Sequence, residues 1–200
     1  MSRALAALLL LALSGTALAQ PANPTVRVRG TIEKLEGNAM TVKARNGKAM
    51  TIKLADNYGV TGVRKASVSD IAAGKYVGST TVGEKGGSLV ADEVHIFMDS
   101  QRGLAEGHFD WDSRPHSKMT NANVAGVVSM QGDRVMTVQY KGGEKKILVT
   151  PRTTVVAFAP ADKSELKPGA PVFVVAQRQP DGALTAPRVT VGLGGQVPPM

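Results

Sequence analysis

Three histidines, His95, His108 and His116, are all the imidazoles in the chain, and they fall in one short stretch beside Asp110 and Asp112. Imidazole and carboxylate together form a donor set suited to zinc or copper. That makes a metal-binding protein one reading of this sequence. The spacing does not itself assemble the set, because His108 and His116 stand eight apart where no helical or strand period runs. A surface role without metal therefore stays open beside it. His95 alternates against Val94 and Ile96, which puts it on the outer face near the end of its strand.

A second group is cationic. Arg27, Arg29, Lys43, Arg45 and Lys53 alternate with apolar residues along three successive runs, so they share the face turned away from the core. With a net charge of +8 the chain favours acidic partners, and these five side chains are the candidate site for an anionic envelope ligand, a glycan or lipid headgroup, or an envelope protein. A solvated basic face that only aids solubility is the other reading. Nucleic-acid binding would add aromatic platforms for base stacking, and none stands among these positions.

Catalytic signatures are missing. The chain carries no nucleophile elbow, phosphate loop or dinucleotide fingerprint, and it has no cysteine for nucleophilic, metal or disulfide chemistry. Asp110 with Asp112, and Asp92 with Glu93, are carboxylate pairs without a reason in the sequence to face one cleft. The expectation is a non-enzymatic protein without a bound cofactor, with an enzyme of unknown class as a third reading that a deep cleft between the barrels, lined by the connector, would favour. Trp111, the single tryptophan, and Phe109 read as a pin that fastens an otherwise irregular connector by burying a large apolar area.

The elements that must position these residues are strands. Val26, Val28, Gly30 and Ile32 share one face, as do Met40 with Val42, and Met50 with Ile52 and Leu54. Glu36-Gly37-Asn38 and Asn46-Gly47 separate the runs, the latter a strong two-residue hairpin signal. The pattern then recurs. Gly30-Thr31-Ile32 and Met40-Thr41-Val42 reappear as Gly126-Val127-Val128 and Met136-Thr137-Val138, and Gly87 to Ala91 is answered by Gly182 to Ala186. Ser67 to Asp70 and Asp162 to Glu165 each read as a capping box opening a short helical turn. Three strands, a turn and two strands is the order of a small OB-like barrel, with a β-sandwich as the competing arrangement.

The predicted fold is all-β: two tandem OB-like barrels of five strands each, residues 25–97 and 124–192, joined by an irregular connector, 98–123, and followed by a tail, 193–200. The repeat resembles an exported bacterial β-repeat family carried as domain of unknown function 5666, present here in two copies. The resemblance rests on Gly30 to Ile32, Thr41-Val42, Ile71 to Gly74 and Gly87 to Val94, with Gly126 to Val128, Thr137-Val138, Leu166 to Gly169 and Gly182 to Val189 as the second set. It implies an envelope-located β-barrel repeat and no chemistry.

The N-terminus agrees with export. A charged start at Arg3, an apolar run from Ala4 to Leu13 and small residues at Ala17-Leu18-Ala19 predict a signal peptide, 1–19, cleaved after Ala19. The run falls short of the ~20 residues that span a bilayer. The mature protein is expected in the periplasm of a Gram-negative host.

Overall fold

The computed structural model describes residues 24–130 and 132–200, so the predicted signal peptide lies outside the described residues. Among the described residues no helix is long and apolar enough to cross a membrane. The chain is all-β, as its alternating pattern predicts. β1 (Thr25–Glu36), β2 (Ala39–Ala44) and β3 (Ala49–Lys65) form an antiparallel meander. The β2–β3 hairpin turns at Asn46-Gly47, where Gly47 has the positive φ that such a turn requires. A 3-10 turn, Val68–Asp70, leads to β4 (Tyr76–Lys85) and β5 (Ser88–Ile96).

The predicted connector is not irregular. It holds a 3-10 turn, Asp99–Gln101, a short strand β6 (Gly107–Asp110), and the first half of β7 (Lys118–Met130), which pairs with both β6 and β4. Phe109 and Met119 are partners across the β6–β7 hairpin. The strand signal is hidden in the sequence because polar residues such as Thr120 and Asn121 are buried here, which defeats alternation. β8 (Asp133–Tyr140), β9 (Gly143–Val149) and β10 (Thr154–Pro160) follow, then a 3-10 turn, Lys163–Glu165, and β11 (Pro171–Arg178) and β12 (Leu184–Gly192).

The first capping box forms: Ser67 N–H donates to Asp70 Oδ2 at 2.8 Å, and Ser69 N–H donates to Ser67 Oγ. The second does not. Asp162 has extended backbone but its side chain makes no capping bond, and the turn is held instead by burial of Leu166.

Strand pairing departs from the predicted organisation. β1, β2 and β3 close a five-stranded barrel with β12 and β11: β3 runs parallel to β12, β12 antiparallel to β11, and β11 antiparallel to β1. The closing strands thus come from the far end of the chain. The barrel core joins Val28, Ile32, Met40, Val42, Ile52 and Leu54 to Val172, Val174, Ala176, Ala186, Val189 and Val191. Reciprocally, β4 and β5 leave their own meander. β4 pairs with β7 and β5 with two residues of β9, so β7, β8, β9, β5 and β4 form a second cycle of pairings around Val77, Val94, Ala122, Val124, Met136, Val138 and Ile147. The expected assignment of one barrel to 25–97 and another to 124–192 is therefore corrected, because each set of three meander strands is completed by the other's last two.

The crossing point is a direct pairing of β3 with β10, centred on Val63 opposite Phe158. These two positions are equivalent when the chain is aligned with itself at a shift of 95 residues. The exchange thus has an approximate two-fold relation in the pairing register, with each half giving its last two strands to the other. The tail, 193–200, turns back onto the fold and buries Met200 beside Val63, Val156 and Phe173.

Candidate functional site

The connector and the second cycle cover part of the outer face of the closed barrel, and there lies a pocket of about 550 Å³. Its walls are aromatic and drawn from the whole chain: Phe97 follows β5, Phe109 lies on β6, Trp111 follows β6, Phe158 is on β10 and Phe173 on β11. Phe97 and Phe158 pack with ring centroids 5.2 Å apart, and Trp111 and Phe173 with centroids 6.4 Å apart. Exposed Arg188, Val175, Leu104 and Gln177 and the half-buried Arg27 form the rim.

The floor is polar. His95 is 3% exposed, with its ring edge-on to Phe97 and Phe158. Its Nδ1 lies 2.7 Å from Oε1 of Glu93, itself 3% exposed, and Thr80 donates its hydroxyl to Oε2 of Glu93 at 2.9 Å. A carboxylate accepting from Nδ1–H fixes the tautomer of the neutral ring, leaving Nε2 as an acceptor. Strand alternation puts His95 on the outer face, as the structure shows, but the expected exposure is wrong because another layer covers that face.

Beside His95 stands Asn121, 6% exposed, on the strand next but one. Gly78 lies between them in register, opposite His95 on β5 and opposite Asn121 on β7. A Cβ on Gly78 would overlap His95 Nε2 and lie 2.6 Å from Asn121 Oδ1. The bare backbone is what lets the imidazole lean across β4 toward the amide. At the equivalent position of the other half stands Phe173, which instead fills the pocket wall.

The three histidines do not gather into one group. His108 Nδ1 is bonded to Thr120 Oγ1 at 2.8 Å and its ring stacks near Tyr140, while His116 is exposed with φ of 60°. Desolvation, followed by the charges of Lys145 and Lys118, lowers the His108 pKa. Among the described residues no group of three His, Asp or Glu side chains could hold a metal ion. Proximity in sequence is not proximity across strands whose faces alternate.

The five cations also divide. Arg29 bonds Asp112 at 2.7 Å and the main-chain oxygen of Met200, and Arg45 reaches the carbonyl of Pro198 at 3.4 Å. Arg27 lies 4.2 Å over the Trp111 ring and 3.6 Å from Asp112. Only Lys43 and Lys53 of this set are exposed without a bond or ion pair among the described residues. The connector and tail thus cover Arg27 and Arg29 while Lys43, Arg45 and Lys53 stay exposed, and Arg27 alone of the five lines the pocket. The predicted pin is present: Trp111 packs with Phe109 and Phe173 under Arg27.

Asp112 ties the pin to β1. Burial works to raise its pKa, but the hydrogen bond from Arg29 and the charges of Arg29 and Arg27 prevail and hold it below the ordinary 3.8. Because the folded value is depressed, this tie stabilises fully above the unfolded value and is lost as pH falls through the folded one. Trp111 emission should therefore shift to the red in strongly acidic solution before the sheet unfolds, and Asp112→Asn should show the shifted emission already at neutral pH. A variant with unchanged emission would show that aromatic packing alone holds the connector.

Asn121, Phe97, Phe158 and Phe173 are site residues that sequence reasoning missed, and Glu93 was weighed with Asp92 rather than with His95. Alternation could have put Glu93 beside His95 on one face, but nothing local pointed to Asn121. No protein family, curated protein or solved structure matches the chain in comparison.

Proposed function

We propose that this is a non-enzymatic binding protein of the bacterial envelope, which holds an amphipathic anion in the pocket over the closed barrel. The observation that carries the reading is the pocket itself, whose volume and aromatic lining match those of small-molecule sites. Such a site takes an apolar body by burial, at roughly 25 cal/mol per Å² removed from water. Arg27 and Arg188 at the rim suit a carboxylate, sulfonate or phosphate on the part of the ligand left outside. This keeps the anionic ligand expected from the basic composition and moves it from the open strand face to the pocket.

The strand order of each cycle, first, second, third, fifth and fourth, supports two OB-like barrels completed by exchange. Export through the signal peptide 1–19 and membership of the β-repeat family are part of the same reading, carried by the sequence motifs.

Anilinonaphthalene sulfonate, an aromatic anion, tests the site. It should bind the folded protein and quench Trp111, the single tryptophan, by energy transfer. Thr190→Trp places an indole in the pocket and should abolish dye binding with the circular dichroism of the sheet unchanged. Undiminished binding to that variant would place the ligand elsewhere.

A further inference from the structure

The pocket floor holds an acceptor without a donor. Asn121 uses its amide nitrogen fully: Nδ2 donates to the carbonyl of Ala105 at 3.1 Å and to that of Leu104 at 3.4 Å. The orientation of the amide follows, since reversing it would set its oxygen against two carbonyls. The turn that presents those carbonyls is itself fixed. Tyr76 donates its hydroxyl to the Leu104 carbonyl at 3.1 Å, and Ala105 has φ of 49°, the left-handed region that L residues rarely adopt. Oδ1 is left buried and, among the described residues, without a hydrogen-bond partner. A buried acceptor in that condition is costly and calls for a donor.

His95 puts its other ring nitrogen next to that oxygen. Its Nδ1 is engaged by Glu93, and its Nε2 reaches over Gly78 toward the same space as Asn121 Oδ1. Both atoms belong to residues lining the pocket, below aromatic walls and opposite the arginine rim.

We infer that the ligand carries a hydrogen-bond donor at its buried end, and that its class is an aromatic acid with a phenolic hydroxyl: the ring lies between the aromatic walls, the hydroxyl donates to Asn121 Oδ1 beside His95, and the carboxylate meets Arg27 and Arg188. The inference rests on the pocket reading above and names its ligand class. A basic amine would also donate to Asn121 Oδ1, but it would bring a positive charge into a pocket rimmed by arginines. The phenol supplies the donor without that charge.

The test uses the whole folded chain and three probes that differ at one group: para-hydroxycinnamate, cinnamate, and para-methoxycinnamate, in which the donor is capped by a methyl group. Titration calorimetry should show para-hydroxycinnamate binding about ten- to a hundred-fold tighter than either of the others, the ratio expected when a buried acceptor is satisfied or left unpaired. In Asn121→Ala that preference should collapse to within about three-fold, the methoxy compound binding as in the parent. Equal affinities in the parent protein overturn the inference, and need no variant to do so. Binding of the sulfonated dye with none of the three acids overturns it as well, leaving the pocket reading intact. Failure of dye and acids alike removes the pocket reading itself. A preference that survives in Asn121→Ala would assign the donor contact elsewhere and also refute the proposal.

Discussion

Residues 24–97 expressed alone will not yield a folded monomer. The strands of this piece that build the closed barrel, β1 to β3, keep half a core: Val172, Val174, Ala176, Ala186, Val189 and Val191 all come from the missing half. Each fully buried Val contributes about 1.5–3 kcal/mol, so losing the four valines alone is comparable to the whole stability of a small domain, about 5–15 kcal/mol. Both edges of the meander would also be unpaired. Light scattering with circular dichroism should therefore find this piece unfolded or as an assembly of two or more copies that exchange β4 and β5. Co-expressed with residues 98–200, it should return to a single folded species whose unfolding matches the intact chain. A cooperative, concentration-independent monomer of residues 24–97 would mean that β4 and β5 can close their own barrel, and the exchange would be wrong.

Gly30→Ala and Gly126→Ala should differ sharply although the two glycines occupy the same place in the repeated motif. At Gly30 a methyl group would overlap the carbonyl oxygen of Lys43 on the neighbouring strand and come within 2.8 Å of Val42 Cγ1. The obstacle is backbone, which can move aside only by separating β1 from β2. The expected cost is about 3 kcal/mol, the upper end of ordinary overpacking. At Gly126 nothing lies within 4 Å of the added methyl and φ is not positive. Alanine there should be neutral or stabilise by up to ~1 kcal/mol through the unfolded chain. Urea midpoints measured with unchanged slopes separate the two. Equal midpoints would show that β1 and β2 are not packed as closely at Gly30 as described.

The sequence by itself determined the strands and what each strand buries. Val28, Ile32, Met40 and Val42 are inward and buried because alternation and turn chemistry are local properties, readable from a few neighbouring residues. Recurrence of the pattern is likewise a property of the string. The sequence did not determine which β4–β5 pair completes which meander. The two copies present nearly interchangeable apolar faces, so the same alternation is satisfied whether a barrel closes within its own half or across halves. Only the run of β3 beyond its barrel and its pairing with β10 at Val63 and Phe158 decides that. The site follows the same division. His95 was legible as chemistry and as outward-facing, but its burial, its approach across Gly78 to Asn121, and the cover that Trp111 and Arg27 give depend on layers brought together from opposite ends of the chain. Burial of an outer face is a property of what lies on top of it, and that is settled only by tertiary structure.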